Sequence, residues 1–144
     1  MRRTRLRDHF KTIKSPNVRE PAPRTWSNAR LCGNQFFISG MTAHDGQGNV
    51  EGGSSMYDQS MQTFRKIKEL VEAAGGVMND IIQLNIYVTD IEQRKEVWRA
   101  REQFFTGDYP CSTVVEVSAL AMPALLVEIN AVGFIGAGRA TSAG

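Results

Sequence analysis

The sequence predicts an α+β domain with the element order ββαβαββ, in which both helices pack on one face of a mixed sheet. Two segments carry apolar residues at helical spacing, and each is followed by apolar runs typical of strands. A Gly-Asn pair joins two further apolar runs before the first helix. Because helices that return to strands pack against one sheet, we expect a single layer of helices.

The first predicted element is a hairpin within TWSNARLCGNQFFISG, which turns at Gly33-Asn34. The Gly-rich stretch HDGQGNVEGG follows it. This stretch lacks the Lys-Ser/Thr pair of a phosphate-binding loop. We therefore interpret it as a turn.

The first helix is predicted to begin at Ser54 or Ser55, with Asp58 in a position resembling a capping box. It should end at Gly75-Gly76, because glycine is the usual residue just after a helix. Its apolar residues recur every three or four positions and predict one buried face. The predicted core positions are Met61, Phe64, Ile67, Leu70, Val71 and Ala74, and the predicted solvent positions are Arg65, Lys66, Lys68, Glu69 and Glu72.

A strand is predicted in DIIQLNIYVTD, and Asp90 should then cap the second helix, with Gln93 at its third position. Two strands in YPCSTVVEVSALAMPALLVEINAVGF close the domain. The apolar side of the strand in DIIQLNIYVTD is predicted to hold Ile82, Leu84, Ile86 and Val88.

A sheet covered on one face leaves its other face in need of a partner. That face is predicted to carry Tyr87 and Leu126, which are unfavourable residues to expose to solvent. We therefore expect self-association through the open face of the sheet.

Length and composition are those of one soluble globular domain. The chain has 144 residues, of which 42% are hydrophobic and 22% charged. No apolar run has the length of a membrane span, and no secretory signal pattern is present. Cys32 and Cys111 lack metal-site spacing, so we expect a reduced, cytoplasmic protein, with Cys111 as a small buried hydrophobic residue.

Positive charge is concentrated at the N-terminus. Residues 1–14 carry six Lys/Arg and one Asp, a charge of +5, which leaves −3 for the remainder of a chain whose net charge is +2. A basic tail of this kind fits a solvated, partly ordered arm, contact with nucleic acid, or a transit peptide. We favour the arm, and predict an N-terminal arm over 1–23, one domain over 24–136 and a tail over 137–144.

Glu128 is the main anomaly, because a carboxylate inside an apolar strand is costly to bury unless it is paired or protonated. It either pairs with an arginine at a rim or between subunits, or holds a water and moves a proton in a cleft. The two histidines, His9 and His44, have no ligand partners at metal spacing, so no metal site is predicted.

The chain resembles the Rid family of YjgF-type reactive-intermediate deaminases over roughly residues 24–134. The resemblance rests on FFISGMTAHDGQGNV, on QSMQTFRKIKELVEAAGGVMNDIIQLNIYVTDI and on YPCSTVVEVSAL with LLVEINAV. It implies a chorismate-mutase-like fold, a barrel-like homotrimer with clefts between subunits, and hydrolysis of enamines or imines to a keto acid and ammonia. It also implies that neither a metal nor a cofactor takes part.

The resemblance also implies site residues. Glu128 matches the glutamate that orients the attacking water, Ser39 and Gly40 match the residues lining the cleft, and Trp26 stands in the place of an aromatic residue over the pocket. Trp98 stands where an asparagine is common. Backbone and hydroxyl groups of Ser112, Thr113 and Val114 are expected to hold the substrate.

One departure concerns the substrate. Deaminating members have an arginine that grips the substrate carboxylate, and PCSTVVEV places Ser112 there. A serine offers one neutral hydrogen bond in place of a charged, bidentate contact. Either the substrate differs, or another cation grips its carboxylate, and the candidates are then Arg24, Arg30, Arg99 and Arg101.

These observations predict a deaminase of a small enamine or imine carboxylic acid, with Glu128 and Ser112 as catalytic residues. One substrate considered is 2-aminomuconate, an enamine dicarboxylate. The alternatives are a trimer that binds a small metabolite without turnover, and an endoribonuclease-type activity. The acidic body of the chain disfavours nucleic acid as a partner.

Overall fold

Residues 10–139 are described by a computed structural model of the chain. They form two helices, α1 (Met56–Ala73) and α2 (Arg94–Arg101). The predicted order of elements is confirmed, with one additional strand at the start. The strands are β1 (Phe10–Ile13), β2 (Ala29–Cys32), β3 (Gln35–Met41), β4 (Ile81–Val88), β5 (Cys111–Glu116) and β6 (Val127–Phe134).

All six strands belong to one sheet, in the order β1-β2-β3-β6-β4-β5. The β4–β5 pair is parallel and the other pairs are antiparallel, so the predicted mixed sheet is confirmed. Helix α1 packs on β3 and β6, and α2 packs on α1. The opposite face of the sheet carries no helix among the described residues.

Alternation along β6 separates the core from the open face. Val127, Ile129 and Ala131 are buried beneath the helices, whereas Glu128 and Asn130 point to the other face and stay partly exposed. A glutamate in this strand therefore avoids the apolar core.

Helix α1 begins as predicted. Ser55 is its N-cap, and the Ser55 hydroxyl accepts a hydrogen bond from the Asp58 backbone N–H at 3.1 Å. Ala73 is the last residue of the helix, Ala74 is its C-cap, and Gly75 follows with φ +94°. Asp90 accepts from the Glu92 N–H and caps a short 3₁₀ turn, Ile91–Gln93, that leads into α2.

One predicted core position in β4 is wrong. Ile82 is 41% exposed, whereas Ile81 is 3% exposed and joins the core. The pairing of β4 with β6 shifts register between Ile81 and Gln83, so the alternation is interrupted there. Leu84, Ile86 and Val88 are buried as predicted.

The segment predicted to be a solvated arm is in part folded. Residues 10–13 form β1 and pair with β2, and Ile13 and Val18 are buried. The buried Asn28 donates from Nδ2 to the Arg19 backbone oxygen at 2.9 Å, which ties the following segment to the sheet. Residues 1–9 of the predicted arm, His9 among them, and residues 140–144 of the predicted tail lie outside the described residues.

The open face carries apolar side chains. Phe37 is 45% exposed and Val115 42%, and Tyr87 is partly exposed beside them. Leu126, predicted for this face, instead packs partly buried against the core, because it precedes β6 and is held by Gln59 of α1. Within residues 10–139, no helix is long and apolar enough to cross a membrane.

Candidate functional site

Glu128 lies in a cavity of about 480 Å³, where β3 ends and β6 begins. The β3 residues Ser39 and Gly40 and the loop residue Trp26 line the same cavity, so the structure brings together four of the residues predicted for the site. The remaining lining residues are Thr42, His44, Ala121, Met122 and Leu125.

The Glu128 carboxylate packs directly against the backbone of Gly40. A Cβ at Gly40 would lie 2.5 Å from Glu128 Oε2 and 2.7 Å from Cδ. Partial burial raises the pKa of the Glu128 carboxyl above its ordinary value. Among the described residues, none donates a hydrogen bond to this carboxylate, so its oxygens are available to a water or a ligand.

Ser39 positions the opposite wall of the cavity. Its hydroxyl donates to the Ser27 backbone oxygen at 2.5 Å, and its N–H donates to the Asn28 backbone oxygen at 2.9 Å. These bonds hold the segment before β2 beside β3, and Trp26 of that segment is 62% exposed and lines the cavity. Ser39 thus holds the segment that carries Trp26, and its hydroxyl proton is already used in the bond to Ser27.

Gln59 of α1, which helix periodicity did not predict as a site residue, fixes the third wall of the cavity. It is fully buried, donates from Nε2 to the backbone oxygens of Gly53 (2.6 Å) and Ala124 (2.9 Å), and accepts from the Leu126 N–H at 2.9 Å. The loop carrying Ala121 and Met122 is therefore anchored to the helix. The sequence signal was a polar residue on the buried stripe of α1.

Ser112 lies elsewhere in the fold. It pairs in register with the buried Leu84 and so faces the helix side of the sheet. There the Arg101 guanidinium donates from Nη1 to the Ser112 hydroxyl at 2.9 Å. A cation therefore lies beside Ser112, the position where the resemblance noted above implies an arginine in deaminating members.

The other residues predicted on β5 divide between the two faces. Thr113 points to the open face and is exposed, whereas Val114 packs partly buried against the core. Cys111, predicted to be buried, is exposed, because it begins an edge strand and faces away from the helices. The outer edge of β5 has no strand partner among residues 10–139.

Arg101 is the partly buried member of the four candidate arginines. Its Nε is buried with no hydrogen-bond acceptor among the described residues, and burial lowers the pKa of the guanidinium. Its Cζ lies 5.9 Å from the centre of the Tyr109 ring. By contrast, Arg24 is exposed in a left-handed turn (φ 62°), Arg30 lies over Phe10, and Arg99 pairs with Glu96.

One chain does not bring Glu128 and Ser112 to the same point. Glu128 of β6 pairs with Tyr87 of β4, which pairs with Val115 of β5, so the two are separated by a strand. They also face opposite sides of the sheet. Arg30 and Trp98 do not line the Glu128 cavity, and Trp98 instead lies under the Arg94 guanidinium at 5.8 Å.

Lys66 of α1 was predicted to face water, and this is wrong. Its Nζ donates to the backbone oxygens of Thr42 at 2.7 Å and His44 at 2.6 Å, so it is partly buried against the Gly-rich loop. Thr42 and His44 both line the Glu128 cavity. Within the described part of the chain, no group of three His, Cys, Asp or Glu side chains is placed to hold a metal ion.

A family model, a curated relative and two solved structures each match most of this chain. The family model described as endoribonuclease L-PSP matches residues 17–135. A 2-iminobutanoate/2-iminopropanoate deaminase of Dermatophagoides farinae is 27% identical, over 83% of this chain and 92% of that protein. A protein of unknown function from Pseudomonas aeruginosa superposes with a TM-score of 0.81 at 35% identity, over 92% and 98% of the two chains. RidA from an Antarctic Psychrobacter superposes with a TM-score of 0.77 at 29% identity, over 87% and 99%.

Proposed function

Because the chain belongs to the endoribonuclease L-PSP family, which includes the RidA proteins, we propose that it is a hydrolytic deaminase of small imine or enamine carboxylic acids. The relative named as an imine deaminase supports this reaction class. The products would be a keto acid and ammonia.

The observation that carries the proposal is Glu128 at the wall of its cavity. Its carboxylate is partly buried, its pKa is raised, and it accepts no hydrogen bond from the described residues. A general base and acid that works near neutral pH needs a raised pKa of this kind. It also needs free oxygens to hold the attacking water.

The hydrolytic steps use that carboxylate. In an enamine, a proton added to the carbon next to the C–N carbon produces the iminium ion, which is the protonated imine. Water attacks the iminium carbon while Glu128 accepts a proton from that water, and a neutral carbinolamine forms. Glu128 returns this proton to the carbinolamine nitrogen, the C–N bond breaks, and the hydroxyl proton leaves with the ammonia as ammonium, so the carbonyl of the keto acid forms.

The substrate carboxylate needs a cation, and we assign this role to Arg101 presented beside Ser112. A guanidinium can hold a carboxylate through two parallel hydrogen bonds. Since Glu128 and Arg101 belong to separate parts of one chain, the proposed site lies between two copies of the chain. The exposed Phe37 and Val115 on the open face support self-association, and we propose a homotrimer.

The decisive assay measures ammonia release from imines generated in the reaction vessel, with 2-aminomuconate as a further substrate. Wild type should accelerate hydrolysis, and Glu128→Gln should lose about 100-fold or more of that acceleration, the usual contribution of a general base. Glu116→Gln is the matched control, because this exposed β5 glutamate is a hydrogen-bond acceptor for the Ile91 N–H that glutamine can replace. Ligand binding without ammonia release by wild type would contradict the proposal and favour a metabolite-binding protein.

Mixing two impaired variants, assayed at a substrate concentration well below KM, tests the shared site. Glu128→Gln retains Arg101, and Arg101→Met retains Glu128. The two variants are unfolded and refolded together in equal amounts. Random mixing in a cyclic oligomer would then place an intact Glu128 and an intact Arg101 in about a quarter of the clefts. Activity that stays at the level of the separate variants would contradict a site made by two copies.

A further inference from the structure

A second cavity, of about 500 Å³, adjoins the Glu128 cavity. It lies between the segment before β2 and the loop after β3. The two cavities share Trp26, Gly40, Thr42 and His44 as lining residues. A ligand with its reacting carbon at Glu128 therefore has space to extend past Trp26 into this second cavity.

Lys66 brings an ammonium group to the second cavity. Two of its three N–H bonds go to the backbone oxygens of Thr42 and His44, which leaves one donor free. Burial lowers the pKa of the Lys66 ammonium, whereas the charges of Glu51 and Asp45 favour its charged form, and neither carboxylate lies within 4.0 Å of its Nζ. The charge of Lys66 is thus partly buried without a direct ion pair among the described residues.

Arg19 brings a second cation to the same loop. Its guanidinium occupies the space above Gly46, where a Cβ would lie 2.8 Å from both Nε and Nη1. Gly46 has φ +80°, and its N–H donates to His44 Nδ1 at 3.2 Å. His44 in turn accepts from Lys66 through its backbone oxygen, so this loop brings both cations to one cavity.

The charge of the lining favours an anion. Arg19 and Lys66 are its two cationic side chains, and Glu20 is its one carboxylate. None of the three forms an ion pair within 4.0 Å with a described residue. A carboxylate placed here would meet guanidinium and ammonium donors, the strongest hydrogen-bond partners for that group.

We propose that the Arg19–Lys66 cavity binds a second carboxylate of the substrate, which makes dicarboxylic imines or enamines the preferred class. This inference rests on the proposed function and deepens it. The first carboxylate, next to the C–N carbon, is held at Arg101, and the second extends past Trp26 to Lys66.

The test compares two imines of equal length, generated by amino-acid oxidases from glutamate and from norvaline. They differ only in a terminal carboxylate in place of a methyl group. Wild type should have the higher kcat/KM for the glutamate-derived imine. Lys66→Met and Arg19→Met should each lower the ratio of the two kcat/KM values about tenfold, the effect of losing a charge-assisted hydrogen bond.

Lys68→Met is the matched control, because Lys68 lies on the same helix, is exposed and pairs with Glu72 at 3.3 Å. It should leave the ratio unchanged. A wild-type enzyme with equal kcat/KM for both imines, or a ratio unchanged in both Lys66→Met and Arg19→Met, would overturn the inference. Arg19 is exposed, so its variant keeps the test valid if Lys66→Met does not fold.

Binding of the two keto acids separates this inference from the proposed function. Calorimetry should show that 2-oxoglutarate binds more tightly than 2-oxopentanoate, and that Lys66→Met removes the difference. That result without any turnover would uphold the anion site and refute the deaminase. Turnover of both imines without a difference in keto-acid affinity would uphold the deaminase and refute the anion site.

Discussion

The carboxylate of Glu128 lies against the Cα of Gly40, in the space that any larger residue would occupy. A Cβ there would meet Oε2 at 2.5 Å and Cδ at 2.7 Å. Gly40 does not have a left-handed backbone, so the need for glycine arises from the glutamate and not from φ. The two residues together determine where the carboxylate sits in the cavity.

Replacing Gly40 by alanine should therefore displace Glu128 without unfolding the protein. The clashing atoms belong to the end of a side chain that can rotate away, at a cost of about 0.5–1.5 kcal/mol. A catalytic group moved by about 1 Å can lose on the order of 100-fold in rate. We expect Gly40→Ala to lower kcat for imine hydrolysis by that order, with a melting temperature close to wild type.

Two results for Gly40→Ala would contradict this prediction. If this variant keeps wild-type kcat, the position of the Glu128 carboxylate in the structure is not the one used in the reaction. A large fall in melting temperature would show that Gly40 supports the sheet rather than the carboxylate.

Glu128 should also make stability depend on pH. Burial raises its pKa in the folded state above the ordinary value of 4.5, so the charged form is disfavoured by folding. This penalty is absent below pH 4.5, where both states are protonated, and is complete above the folded-state pKa. Glu128→Gln should therefore be more stable than wild type at neutral pH, and the difference should vanish in acid.

Urea unfolding of wild type and Glu128→Gln at several pH values measures this difference. A variant less stable than wild type at neutral pH would show that the charged carboxylate is stabilised by partners. Such a result would contradict desolvation as the dominant effect.

Periodicity and capping predicted most of the fold. The cap at Ser55 and the hairpin at Gly33-Asn34 depend on residues close together along the chain, so the sequence predicts both. The confirmed order of elements depends on local signals of the same kind. Ile82 was misplaced because a register shift between β4 and β6 depends on a partner 50 residues away along the chain. Such a shift leaves no mark in the alternation of β4 itself.

The site was predictable only where residues resembled a known motif. Glu128, Gly40, Ser39 and Trp26 do meet in one cavity. Gln59 and Lys66 were missed because their roles are bonds to distant backbone oxygens, which helix periodicity does not reveal. On sequence alone, a lysine among other charged helix residues is expected to face solvent.

Gln59 should matter for stability and for the cavity wall together. Its amide satisfies the backbone oxygens of Gly53 and Ala124 and the N–H of Leu126. Methionine is similar in length but cannot pair with these groups, and each unsatisfied buried group costs about 1–3 kcal/mol. With three such groups, we expect Gln59→Met to lower the free energy of unfolding by about 3 kcal/mol or more in urea titrations.

The control for this change is Gln103→Met, at an exposed position after α2. It should stay within about 0.5 kcal/mol of wild type, as surface substitutions usually do. Equal effects of the two variants would show that the bonds of Gln59 contribute little.

Arg101 should determine how tightly the substrate carboxylate is held. It reaches Ser112 from α2 at 2.9 Å, and its Nε is buried with no acceptor among the described residues. Losing a charged hydrogen bond costs about 1.5–3 kcal/mol, which corresponds to about 10- to 100-fold in binding. Arg101→Met should therefore raise KM for imine acids by that factor, and weaken inhibition by the keto-acid product to the same extent.

Arg99→Met is the matched control for this prediction, because Arg99 lies on the same helix but is exposed and paired with Glu96. It should change KM less than about twofold, as expected for loss of a weak surface pair. Ser112→Ala should have an intermediate effect, since it leaves the cation but removes the hydroxyl that orients it. If Arg101→Met and Arg99→Met raise KM equally, the guanidinium at Ser112 is not the carboxylate anchor, and another arginine must supply it.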